Sequence, residues 1–327
     1  TVGSVRNVDC PPAEATPANS ALIKNLLVVA MLTALWMLAT RTLSAAVIYQ
    51  TGFEAVEGYS TNLDLSGQNG WLQAGSGGNG LVSDFFKGKG QQAYAGFLPP
   101  NNGDDFLLLY QPINKDLSHV TFSVRMAVTD SSNTNYDDFY WALFDQQVSN
   151  LVTLDFDNYE LKVYYWLDGT NSRTWSGLYF TNGVDYPLTM DLDFANNRWS
   201  ATFDGRTLAT NQPITTVGAP LNLGDIDAGW VIYDPTAPGD NYMVFDDYSI
   251  TASIPPPRIS SLGTVGNAPV LRVAGQDGNT FVVEASTNLM DWTAVKTNTT
   301  SGGYFDYVDN AAGSFQARFY RGRWLPN

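Results

Sequence analysis

The stretch Asp155-Phe156-Asp157-Asn158-Tyr159-Glu160 places three carboxylates within six residues. On an extended strand Asp155 and Asp157 would share a face, and one bulge would bring Glu160 round to join them. Grouped carboxylates can divide general-acid and general-base work between them. A strand ending in a polar turn, with Phe156 inward, would carry the same residues. Acid is abundant around this stretch. Residues 47–254 hold 25 Asp and Glu, and only Glu54, Glu57 and Glu160 are Glu. Short carboxylates on loops suit a hard cation with about six to eight oxygen ligands, and they equally suit turns, where Asp bonds its own backbone. Aromatic residues are the third chemical resource. Rings stack on the C–H faces of sugars while Asp, Asn and Gln take the hydroxyls. The runs Tyr136-Asp137-Asp138-Phe139-Tyr140-Trp141 and Tyr164-Tyr165-Trp166-Leu167-Asp168 combine both. Consecutive strand residues face opposite ways, so half of each run belongs to a core. Trp199 and Trp230 read as core. Tyr136, Tyr165 and Trp175 are the candidates for an exposed carbohydrate-binding face.

The elements that would position these residues are strands. Val120–Val128 alternates apolar and polar for nine residues, and Leu161–Trp166 and Arg198–Phe203 repeat the pattern more briefly. Asp168-Gly169, Asn182-Gly183 and Asp204-Gly205 are turn signals between them, and Asp204-Gly205 marks a hairpin. No convincing helix follows residue 46. Many short strands over some 200 residues read as a two-sheet sandwich or jelly roll.

Ile254-Pro255-Pro256-Pro257-Arg258 is the clearest boundary, because three consecutive prolines cannot sit in a central strand and stiffen a linker. The charge balance changes across it. Residues 47–254 hold 8 Lys and Arg against 25 acidic residues, and residues 258–327 hold 6 against 5. The predicted organisation is therefore an N-terminal extension and signal peptide over 1–46, a jelly-roll domain over 47–254, a proline linker at 255–257 and a small β-sandwich over 258–327. Leu26–Ala39 is uncharged for 14 residues, with Lys24 before it and Ser44-Ala45-Ala46 after it. That is the length of a signal-peptide core and short for a membrane span. Cleavage is expected after Ala46, placing the chain outside the cell or on its surface. Left uncleaved, the segment would tether it to the membrane.

Composition excludes several functions. With 17 Lys and Arg against 32 Asp and Glu the chain repels phosphate backbones, which argues against nucleic-acid binding. A single cysteine, Cys10, permits neither an internal disulfide nor a cysteine-ligated zinc site, and the single His119 leaves little room for a histidine-based triad.

The large module resembles secreted concanavalin A-like jelly rolls of the laminin-G-like type. The likeness rests on Gly52-Phe53-Glu54, Gly58-Tyr59, Gly67-Gln68-Asn69-Gly70-Trp71, Gly90-Gln91-Gln92-Ala93 and the closing Asn241–Ile250. It implies glycan binding or adhesion. In such folds the first and last strands pair, which implies Glu54, Asp246 and Asp247 as ligands of a structural calcium ion. Asp155, Asp157 and Glu160 resemble the Glu-x-Asp-x-x-Glu strand of laminarinase-type glycoside hydrolases, with Asp155 in the place of a Glu. The small module is similar to a fibronectin- or immunoglobulin-like C-terminal domain common in environmental bacteria such as the Verrucomicrobia, through Phe281–Thr293 and Ala317–Arg321. The combined expectation is an all-β, exported protein that binds polysaccharide or a cell-surface glycan without cleaving it. The rivals are a glycoside hydrolase with a degenerate triad at Asp155, Asp157 and Glu160, and a structural matrix protein with no small ligand.

Overall fold

The computed structural model describes residues 45–101, 103–170, 172–253, 257–276 and 278–325. Residues 1–44 of the expected leader, including Cys10, and prolines 255 and 256 of the linker lie outside these, while Ala45 and Ala46, expected to end the leader, open the first strand. The larger part is a sandwich of fifteen strands: β1 (Ala45–Thr51), β2 (Leu72–Gly75), β3 (Asn79–Ser83), β4 (Gln91–Gly96), β5 (Phe106–Tyr110), β6 (His119–Val128), β7 (Asp138–Phe144), β8 (Asn150–Asp157), β9 (Lys162–Leu167), β10 (Thr174–Tyr179), β11 (Tyr186–Asp193), β12 (Arg198–Phe203), β13 (Arg206–Gln212), β14 (Asp225–Val231) and β15 (Tyr242–Ser253). They form two antiparallel sheets. One runs β13-β12-β11-β6-β15-β4-β3 with β1 also on β15, and the other runs β10-β9-β8-β7-β14-β5-β2. The all-β jelly-roll sandwich expected from the strand pattern is the observed architecture.

Alternation explains which side of each strand is buried. In β6, Val120, Phe122, Val124 and Met126 enter the core. Trp141, Phe139, Leu154 and Phe156 meet them from the opposite sheet. Trp199 and Trp230 are buried as expected. Roughly 1.5–3 kcal/mol for each fully buried large apolar side chain makes this the dominant stabilising term. Asp204 and Gly205 both adopt positive φ, at 53° and 68°, and close the β12–β13 hairpin. Positive φ at both central residues matches the right-handed twist of paired strands.

Strands β16 (Arg258–Val265), β17 (Ala268–Ala274), β18 (Thr280–Ser286), β19 (Thr293–Thr299), β20 (Tyr304–Val308) and β21 (Phe319–Leu325) form two three-stranded sheets, β16-β17-β20 and β19-β18-β21. Val273, Phe281, Val283 and Phe305 fill the space between them. The buried Asp309 accepts from Arg318 Nε at 2.6 Å and from the Tyr320 hydroxyl at 2.8 Å.

Tyr248 is fully buried among Trp71, Phe122 and Trp141, and its hydroxyl donates to the Ile226 carbonyl at 3.0 Å. Tyr248→Phe leaves that carbonyl unpaired and should lower the unfolding free energy by about 1 kcal/mol. A denaturant midpoint equal to wild type would show that the bond contributes nothing.

Candidate functional site

Parity carries one set of side chains onto the face of the second sheet that is turned away from the core. Trp175 on β10, Tyr164 on β9, Asp155 on β8, Tyr140 on β7 and Gly229 on β14 are successive register partners in one row. Gly229 lets the row close up, because an added Cβ would stand 3.1 Å from both Tyr140 Cβ and Leu108 Cδ2. The Trp166 ring lies edge-on to Tyr140 at 5.0 Å.

Asp155 is wholly buried in this row. Arg173, in the segment before β10, reaches over it. Arg173 Nη2 lies 2.5 Å from Asp155 Oδ2, 2.9 Å from Asp157 Oδ2 and 3.5 Å from Asp138 Oδ2. The guanidinium also stacks on Tyr164, 4.2 Å from the ring centre. Asp155 Oδ1 has no hydrogen-bond partner among the described residues. One guanidinium cannot neutralise three buried carboxylates, so the cluster gains by holding a proton. Burial, then the charge of Asp138, pushes Asp155 up to about 9 against the pull of Arg173. Burial pushes Asp138 up to about 6, opposed by the hydrogen bond from Tyr233. The two carboxyls titrate as a pair, and burial makes the pair hold its proton more tightly than ordinary carboxylates do. Burial works against the charge on Arg173, but Asp155 and Asp138 outweigh it and its pKa rises.

Beside the cluster is a cleft of about 410 Å³ lined by Thr134, Asn135, Tyr136, Asp137, Asp157, Tyr159, Tyr233, Asp234 and Ala237. Two loops wall it, and two carboxylates fix them, the buried Asp137 and the half-buried Asp240. Asp137 accepts from Gly239 N at 2.8 Å and Trp230 Nε1 at 3.2 Å, tying the loop after β14 to the start of β7. Gly239 is required there, since a Cβ would fall 2.1 Å from Asn241 Oδ1. Asp240 accepts from the Ser132 hydroxyl, from Ser132 N at 2.7 Å and from Ser131 Oγ at 2.9 Å, and these bonds hold it down to about 2. The Tyr233 hydroxyl donates to Asp138 Oδ2 at 2.5 Å, joining the cleft wall to the carboxylate cluster. Tyr136 and Tyr159 meet edge to face at 5.8 Å. Tyr159 is 77% and Tyr233 61% exposed.

The expected site residues separate on this frame. Tyr136 lines the cleft. Trp175 is half-exposed further along the same face, with Tyr179 5.6 Å away and Lys162 over its ring. Tyr165, expected to be exposed, instead packs on Trp199 of the opposite sheet at 5.4 Å, because Val163 and Tyr165 share the inward parity of β9. Asp155, Asp157 and Glu160 do not meet in one cleft. Asp157 Oδ1 accepts from Tyr159 N and Glu160 N, which ends the strand and turns the chain away. Glu160 then faces solvent and accepts from the Tyr164 hydroxyl. The third carboxylate of the cluster is Asp138. Its parity with Tyr140 was readable, but its pairing partner was not. Arg173 and Tyr233 carry no local sequence signal at all.

At the seam of β1 and β15, Glu54 Oε1 accepts from Gln91 N at 3.3 Å and tucks against Gly90. Asp246 is buried, accepts from Gln92 Nε2 at 3.4 Å and is pushed up to about 6, chiefly by burial. Both approach the space over Gly52. Asp247 lies across a bulge, with its side chain exposed and φ at 51°. Among the described residues no group of three or more His, Cys, Asp or Glu side chains is arranged to hold a metal ion. No described helix is long and apolar enough to cross a membrane.

No protein-family model matches this chain, and no curated protein matches it. Solved structures resemble it distantly. A sialidase matches with TM-score 0.45 and 8% identity, over 63% of this chain and 19% of that one. A cellulose-induced protein matches with TM-score 0.44 and 11% identity, over 62% and 96%. The catalytic domain of a GH131 β-glucanase from Podospora anserina matches with TM-score 0.44 and 14% identity, over 64% and 98%.

Replacing Arg173 with Gln strips the cation from three buried carboxylates and should cost about 3 kcal/mol at pH 8. Asp138 and Asp155 have raised pKa values in the folded protein, so the folded state binds protons that the unfolded chain has released. Stability from these groups therefore rises as pH falls from about 9 towards the ordinary carboxylate range. The difference in melting temperature between Arg173→Gln and wild type should shrink between pH 8 and pH 5. A pH-independent difference would show that Arg173 contributes packing alone.

Proposed function

We propose that the protein binds carbohydrate outside the cell, without cleaving it, in the cleft walled by Tyr136, Tyr159 and Tyr233. The observation that carries this reading is that three tyrosines converge on one cleft beside Asp137 and Asp157. Asp155, the most deeply buried carboxyl of the cluster, is sealed beneath Arg173. Ring faces would take the apolar side of a sugar, and Thr134, Asn135 and Asp234 would take its hydroxyls. Trp175 and Tyr179 extend the aromatic surface along the same sheet face. Exposed rings at a sugar site contribute without chemistry, whereas hydrolysis requires both carboxyl groups to reach the scissile bond.

Tyr159→Ala and Tyr136→Ala should each weaken polysaccharide retention in affinity gels by about tenfold, in line with roughly 1–1.5 kcal/mol for an aromatic contact. Polymer staining should show intact tracks for wild type and for Asp155→Asn. A cleared track that disappears in Asp155→Asn would replace binding with hydrolysis.

Calcium enters this reading only as a stabilising ion at the seam of Glu54 and Asp246, with main-chain carbonyls and water completing its shell. Millimolar calcium should raise the melting temperature of wild type and leave Asp246→Asn unmoved. Equal melting with calcium and with chelator would remove the ion from the proposal.

A further inference from the structure

The chemistry of the cleft points beyond a neutral sugar. Its lining holds three carboxylates, Asp137, Asp157 and Asp234, and three tyrosines, with no Lys, Arg or His among the lining residues. The nearby cation, Arg173, is already shared among Asp138, Asp155 and Asp157. The cleft therefore keeps a negative potential that no lining side chain cancels. Its aromatic lining is suited to the same charge. Tyr136 and Tyr159 are inclined at 64° between ring planes, and Tyr233 is the third ring of the lining. Rings set at an angle around a small space are the arrangement that recognises ammonium groups, through attraction between the cation and the ring faces. A uronic acid would be repelled here, and a neutral sugar would leave the field unused.

Resting on the carbohydrate-binding reading of this cleft, we infer that its ligand is a glycan bearing free amino groups, a 2-amino-2-deoxy sugar whose ammonium sits among Tyr136, Tyr159 and Tyr233 and faces the exposed carboxylate of Asp234. The volume of about 410 Å³ accepts one or two sugar units. The amine, and not the acetamide, is the recognised form, because acetylation removes the charge.

The test is calorimetric titration of the full chain at pH 6 with three tetrasaccharides, of glucosamine, of N-acetylglucosamine and of glucose. The glucosamine form should bind about tenfold more tightly than the other two, and both Tyr159→Ala and Asp234→Asn should abolish the preference. Equal affinities that all fall in Tyr159→Ala would overturn the amino-sugar assignment and leave the carbohydrate site standing. A preference that survives both substitutions would also overturn it, since it would reflect only the general attraction of a chain of net charge −15 for polycations. Binding of none of the three, together with no retention in any polysaccharide gel, would overturn the carbohydrate reading itself.

Discussion

The guanidinium of Arg173 holds together three carboxylates that would otherwise repel one another. Asp138 belongs to β7 and Asp155 and Asp157 to β8, and Arg173 arrives from the segment preceding β10. A sheet face can bury three carboxylates only if cation and proton both stay. Much that matters nearby depends on this arrangement. Asp157 can cap the β8–β9 turn because its other oxygen is neutralised, and that turn presents Tyr159. Arg173 helps keep the buried Asp138 an acceptor, and the Tyr233 hydroxyl donates to it, setting one wall of the cleft. The electrostatic cluster is thus the hidden scaffold of an aromatic surface.

This also explains why carboxylates that look catalytic in sequence read differently in space. Sharing a strand face is necessary for joint chemistry, and access is a separate condition. Asp155 meets the first condition and fails the second, because Arg173 and its neighbours exclude solvent from it. The raised pKa of a buried acid marks a functional candidate, but structural ion clusters produce the same signature.

Much of the fold was legible from alternation and turn chemistry. Nine alternating residues at Val120–Val128 announced the longest core strand before β15, and Asp204-Gly205 announced a hairpin, because both are local properties of the chain. Parity was legible too where it was followed through. Val163 is apolar and inward, so alternation along β9 turns Tyr165 inward, against the exposure expected of it, and Tyr164 outward. The site was legible only in pieces. Tyr136 and Asp157 could be singled out as residue types, but nothing near Arg173 in the chain says that it spans two strands. Nothing near Tyr233 says that it answers Asp138 across 95 residues. Such pairings are set by sheet order, which single-chain periodicity does not encode.

The pairing of β1 with β15 has a further consequence. Ala45 and Ala46 lie in register with Ser253 and Ala252. The strand that opens the large sandwich and the strand that closes it therefore end side by side, at one edge of the same ladder. A module with adjoining ends behaves as a cassette. It can be spliced between flanking segments, or its old ends joined by a short bridge and new ones opened at an exposed turn such as Asp204-Gly205, without stretching the sheets. The same geometry leaves the loops at the other end of the strands, where the cleft lies, clear of both ends of the sandwich.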